Sequence, residues 1–158
     1  MAKVAGLGHV GLFVTDPKLM TEFYRDFLGM TLTDKADNDS IIFFSTHPQT
    51  EHHELALVHR PGVRSNMQQV SFTVDSLADL KDFWERIKQR QYHVNMVISH
   101  GNAFGCYFND PEGNNVEVYY KTGKNIKQPH GDRLNLDLSL EELQEILDTM
   151  PEDEPARV

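Results

Sequence analysis

Residues 8–14 read GHVGLFV, and their alternation decides the first element. Val10, Leu12 and Val14 share one face while His9, Gly11 and Phe13 share the other, which is the two-residue period of a half-buried strand. Asp16 is placed to cap a following helix and Pro17 suits its first turn; Leu19, Phe23 and Phe27, with Tyr24 and Leu28, recur at helical spacing until Gly29. Short β-like runs follow at 30–33, 41–46 and 54–59, with Asp37-Asn38-Asp39 as the first turn and Pro61-Gly62 as the end of the unit.

The order is then written again. Residues 69–74, QVSFTV, alternate with Val70, Phe72 and Val74 on one face, so Gln69 stands where His9 stood. Ser76 caps a second helix whose apolar stripe is Leu77, Leu80, Trp84 and Ile87, with Phe83 beside it. Runs at 93–99, 104–109 and 115–120 complete the half, the last two joined by the turn Asp110-Pro111-Glu112-Gly113. A glutamate interrupts the apolar last strand of each half: Glu54 in HELALV, 45 residues after His9, and Glu117 in VEVYY, 48 residues after Gln69. This spacing predicts the same register for both.

The repeat predicts an α+β fold of two βαβββ modules, residues 6–60 and 66–123, forming an open, curved mixed sheet around a cleft with helices behind it. His9, Glu54, Gln69 and Glu117 all fall on the cleft face. By the same alternation His52 shares the face of Glu54, while His53 points toward the helices. Residues 124–158 form a C-terminal extension with a helix at about 139–150, opened by Ser139-x-x-Glu142; its Leu140, Leu143, Ile146 and Leu147 need an apolar partner. The acidic tail from Pro151 to Pro155 has nothing to bury and is expected to fray.

Composition narrows the function classes. One cysteine, Cys106, makes neither an internal disulfide nor a thiolate metal framework, so oxygen and nitrogen ligands must do any metal work. With 24 acidic against 15 scattered basic residues and a net charge of −9, nucleic acid is a poor partner. No apolar run approaches the ~18 residues of a membrane span, and the N-terminus lacks the apolar stretch of a signal peptide; a cytoplasmic protein is expected.

Two stretches carry a family resemblance: GHVGLFVTDPKLMTEFYRDFLGM near the N-terminus and DPEGNNVEVY in the last strand of the second half. Over residues 6–123 the chain resembles the vicinal oxygen chelate superfamily, which includes glyoxalase I, extradiol ring-cleaving dioxygenases and antibiotic-resistance proteins. The resemblance implies a divalent metal held by His9, Gln69 and Glu117, with Fe²⁺ or Mn²⁺ favoured, and open positions for a small substrate chelated through two vicinal oxygens. In the dioxygenases the middle ligand is a histidine, and the neutral amide of Gln69 departs from it. His100 resembles the family's acid/base histidine and Tyr107 its substrate-binding tyrosine, roles that suit an imidazole titrating near neutrality and a phenol that hydrogen-bonds a developing oxyanion.

A second expectation counts Glu54 as a fourth ligand, giving a glyoxalase-like lyase or isomerase with Zn²⁺ or Ni²⁺ that polarises a carbonyl while a glutamate moves a proton. A third is a metal-free binding or resistance protein. A homodimer is implied by analogy alone. Read from the residues themselves, His9 is either a ligand or a satisfied buried histidine, and Gln69 either a ligand or a hydrogen-bonding neighbour. His130, between Pro129 and Gly131, reads as a loop residue.

Overall fold

The computed structural model describes Lys3, Val4 and residues 6–152. Contacts divide the chain into two compact units, one of residues up to Asn66 together with Asp110–Gly113, the other of Met67–Asn109 and the chain from Asn114 onward. The architecture is the expected α+β arrangement of two βαβββ modules. Its hydrogen bonding forms two separate open mixed sheets, because the last strand of each module pairs in parallel with that module's own first strand.

The first unit contains β1 (Val10–Val14), α1 (Pro17–Thr21), β2 (Thr31–Lys35), β3 (Ile41–Ser45) and β4 (Leu55–His59), with sheet order β1-β4-β3-β2. The Asp16 carboxylate accepts the Leu19 N–H at 3.0 Å and Pro17 follows at the helix start, as its sequence predicts. The rest of the expected helix is different. Residues Glu22–Phe27 form a π-helical segment, with the Leu28 N–H donating to the Phe23 carbonyl at 3.0 Å. Phe23, Tyr24 and Phe27 are all buried, whereas Leu19, placed on the apolar stripe by spacing, is 40% exposed and Met20 takes the core position. These aromatic rings are buried together with Leu12, Val14 and Leu57, and the Tyr24 ring lies 6.1 Å from that of Phe44.

Within the same unit, the turn Asp110–Gly113 binds the start of α1. The Glu112 carboxylate accepts the N–H groups of Thr15 and Asp16 at 2.6–3.0 Å, and Asp110 accepts the Tyr24 hydroxyl at 3.4 Å. A carboxylate buried to 8% exposure is tolerable where orphan N–H groups at a helix start surround it.

The second unit contains β5 (Val70–Val74), α2 (Leu77–Gln89), β6 (Val94–Ser99), β7 (Ala103–Asn109), β8 (Asn115–Lys121), β9 (Asp132–Arg133) and α3 (Leu140–Thr149), in sheet order β5-β8-β7-β6-β9. Strand β9 is the one element of this unit that the alternation of the sequence does not show. Leu77, Leu80 and Ile87 of α2 are buried with Phe104, Cys106, Phe108, Val116 and Val118 of the sheet. Ser139 and Glu142 form the expected capping box of α3. The apolar partner that helix needs is α2: Leu136, Leu143 and Leu147 are buried, and Trp84 Nε1 and Lys88 Nζ of α2 donate to the Asp137 carboxylate at 2.8 and 2.6 Å. The expected fraying does not reach Glu152, whose carboxylate accepts the Asn125 N–H at 3.1 Å and Lys124 Nζ at 3.3 Å; residues 153–155 lie outside the described residues. No helix of the described residues is long and apolar enough to cross a membrane.

Candidate active site

Strand alternation gives β7 and β8 two distinct faces. Phe104, Cys106, Phe108, Val116 and Val118 face the core, which leaves Gly105, Tyr107, Glu117, Tyr119 and Lys121 on the open face, joined by Ser71 of β5. Burial and the Glu117 charge push the core thiol of Cys106 up to about 12, so it stays a neutral, inert side chain.

Glu117 is only 5% exposed, and its surroundings are neutral. Ser71 Oγ donates to Glu117 Oε2 at 2.5 Å, and Gln69 Nε2 donates to the same oxygen at 3.2 Å and to Ser71 Oγ at 2.8 Å. Ser71 and Glu117 are direct partners in the parallel ladder, as Tyr107 and Glu117 are in the antiparallel one. A Cβ added to Gly105 would stand 2.8 Å from Glu117 Oε1, so the strand is bare where the carboxylate lies against it. A buried carboxylate with hydroxyl and amide donors but no ion-pair partner among the described residues has the chemistry of a ligand that a divalent metal would complete. A carboxylate with a side-chain amide beside it is a donor pair that fits such a metal.

Tyr107 and His100 continue this arrangement. Burial first, then the hydrogen bond and charge of Glu117, hold the Tyr107 phenol well above its usual range, so it remains a protonated donor at any working pH. His100 Nε2 lies 3.2 Å from the Tyr107 hydroxyl, and His100 Nδ1 lies 2.8 Å from the His130 carbonyl oxygen. A carbonyl only accepts, so Nδ1 carries the proton and Nε2 offers its lone pair to the phenol. One phenolic proton thus faces both Glu117 and His100. His130, read from sequence as a plain loop residue, sets the tautomer through its backbone. Gly101, at φ +72°, has no room for a Cβ, which would lie 2.6 Å from Ile126; this close packing fixes the turn that carries His100. A cavity of about 620 Å³, open to solvent, is lined by Ser71, His100, Tyr107, Glu117, Tyr119 and Lys121 among others.

In the first unit His9 precedes β1 on the exposed side, and its ring lies 4.4 Å from that of His53. His53 also meets Phe43 at 4.6 Å, and its Nδ1 is 2.8 Å from that of His52. The expectation that His53 points toward the helices fails because residues 51–53 lie outside any strand, where alternation has no hold. Desolvation, then the neighbouring His9 and His52, lower the His53 pKa.

Glu54 also precedes its strand. Its Oε2 accepts the Thr46 N–H at 2.6 Å, the Thr46 hydroxyl at 2.5 Å and the Ser45 hydroxyl at 3.3 Å, while Oε1 is 3.5 Å from His47 Nδ1. Desolvation would raise its pKa, but the Thr46 and His47 hydrogen bonds outweigh this and lower it. The ladders also separate the two glutamates that spacing had equated. Val10 pairs with Leu55 and Val70 with Val116, so the counterpart of Glu117 is Ala56, and Glu54 corresponds to Asn115. Within neither unit, among the described residues, do three His, Cys, Asp or Glu side chains converge as a metal cluster.

The residues singled out by sequence are His9, Glu54, Gln69, His100, Tyr107 and Glu117. The structure brings Gln69, His100, Tyr107 and Glu117 together in the second unit and adds Ser71, which shares the parity of Gln69 in QVSFTV. Lys121 is legible in the same way, two and four residues beyond Tyr119 and Glu117.

The chain is similar to known proteins in sequence and in fold. Biphenyl-2,3-diol 1,2-dioxygenase 3 of Rhodococcus globerulus is 28% identical over 120 residues, covering 71% of this chain and 61% of that protein. Metapyrocatechase of Geobacillus stearothermophilus is 25% identical over 131 residues, covering 80% of this chain and 40% of that protein. The matches therefore span less than two thirds of either relative. Lactoylglutathione lyase from Agrobacterium tumefaciens shares the fold, with a TM-score of 0.58 at 20% identity, covering 75% of this chain and 96% of that one. Residues 6–118 match the family model described as Glyoxalase/Bleomycin resistance protein/Dioxygenase superfamily, and the chain belongs to that superfamily.

Proposed function

We propose that the protein is a metal-dependent, ring-cleaving dioxygenase-type enzyme acting on a small diol chelated through two neighbouring oxygens. The observation that carries this reading is the buried Glu117 carboxylate, which hydrogen-bonds Gln69 and Ser71 and shares one cavity with Ser71, Tyr107 and the His100 behind the phenol. Glu117 and Gln69 are proposed ligands of Fe²⁺ or Mn²⁺; the assignment of His9 to the same set rests on its match to the family's first-strand ligand. Such an ion would chelate the diol and supply the electron path by which the ring carbons are oxidised and cleaved while O₂ is reduced, both of its atoms entering the product. Tyr107 donates a hydrogen bond to a substrate oxygen as charge develops on it. His100 Nε2 takes or returns a proton through that phenol, its Nδ1 proton held by the His130 carbonyl.

The distinction from a glyoxalase-type site rests on Glu54. Its carboxylate is engaged with Ser45 and Thr46, which favours a three-ligand set over a four-ligand one. Iron-loaded protein is expected to consume O₂ with catechols and yield a coloured ring-fission product. E117Q should abolish this, and H100A should lower kcat by roughly 10²–10⁴-fold. Absence of O₂ uptake across a catechol series with fully iron-loaded protein would defeat the reading.

A further inference from the structure

We propose that the substrate carries an anionic arm, and that Lys121 at the far end of the cavity recognises it. This rests on the ring-cleavage reading for the diol end of the ligand; the acidic end is argued separately, from the strand and its charges. Glu117, Tyr119 and Lys121 alternate along β8 and all line the cavity. At roughly 3.3 Å per residue, Glu117 and Lys121 have Cα atoms about 13 Å apart, with Tyr119 midway. A molecule that places two vicinal oxygens at Glu117 and one ring against Tyr119 has space for a short arm toward Lys121.

The local charge suits an anion although the chain carries −9 overall. Among the charged side chains lining the cavity, Glu117 lies at the proposed metal end, and the others are Lys121 and Lys124. Lys124 is occupied by Glu152 at 3.3 Å. Lys121 is exposed and makes no ion pair among the described residues, so its ammonium is available to a carboxylate entering the cavity. Gln128, whose Nε2 already donates to the His100 carbonyl at 2.7 Å, and Asn102 surround this end with further polar groups. A neutral hydrophobic diol leaves the lysine unused; an acidic diol pairs with it and fixes its orientation in the site.

The test compares two catechols of similar size and opposite character, 3,4-dihydroxyphenylacetate and 4-ethylcatechol. Each is titrated calorimetrically into anaerobic Mn²⁺-loaded protein, and O₂ uptake is followed in parallel with iron-loaded protein. The acid is expected to bind at least tenfold more tightly than the neutral compound. K121Q should bring that ratio close to one, K121R should restore most of it, and rising salt should shrink it in the wild type. Equal affinities in the wild type, a ratio that survives K121Q, or no binding of the acid would each overturn the proposal. A Lys121-dependent preference without O₂ uptake upholds the anionic subsite and removes ring cleavage. O₂ uptake with no preference does the reverse.

Discussion

Glu117 shows how a single buried side chain can be read in physical terms. A carboxylate at 5% exposure needs compensation, and the structure supplies Ser71, Gln69 and Tyr107, all neutral; hydrogen bonds to a charged group contribute about 1.5–3 kcal/mol each, still short of full hydration. Its position depends on Gly105, since a methyl group there would meet Oε1 at 2.8 Å. The far end of the glutamate can move, so G105A should fold but displace the carboxylate. We expect metal affinity, measured by equilibrium titration with Mn²⁺, to fall roughly tenfold or more; unchanged affinity would mean that Glu117 is not held for a metal. Glu117 is legible in sequence because a carboxylate within the apolar run VEVYY is costly to bury unless a cation or donors compensate it. Glu54 looks equivalent by counting, but its position relative to the first strand depends on the turn at 46–53, and the ladder places it two residues from the matching rung. Ser71 shares the open face with Gln69, yet a serine in an exposed strand position carries no burial cost that would single it out.

At the scale of elements, periodicity is informative wherever one face is buried. Strand β5, expected at 69–74, spans Val70–Val74, and the Ser76 and Ser139 caps open α2 and α3. The π-helical segment is not legible, because Phe23 and Phe27 at i and i+4 fit an α-helix equally well. Strand β9, two exposed residues long, has no pattern to detect. The amphipathic α3 is legible down to its need for a partner, and the structure identifies that partner as α2. Leu143 is fully buried in that contact, so L143A should destabilise the second unit by about 2–5 kcal/mol. Urea unfolding monitored by Trp84, which hydrogen-bonds Asp137 beside this contact, reads the change directly. A loss below about 1 kcal/mol, less than such truncations ordinarily cost, would show that α3 contributes little to the fold.

At the scale of the whole chain, the net charge of −9 disfavours anionic ligands in general, so any anion that binds must do so through local cations. The same charge favours a divalent cation, which makes nonspecific metal binding the competitor that an assay must exclude. Thermal unfolding tests the proposed ligands His9, Gln69 and Glu117, each by its own substitution, as a linkage. A metal that binds only the native state, at a free concentration of about 100 Kd, stabilises it by about 2.7 kcal/mol. Mn²⁺ should therefore raise Tm in the wild type at a stoichiometry of one, and both E117Q and H9A should lose most of the increase. E54Q should keep it, because the Glu54 carboxylate is engaged with Ser45 and Thr46. Nonspecific binding to the acidic surface would respond equally weakly to all three substitutions. Retention of the shift in H9A would confine the ligands to Gln69, Glu117 and their neighbours, and its loss in E54Q would move the chemistry toward a four-ligand, glyoxalase-type centre.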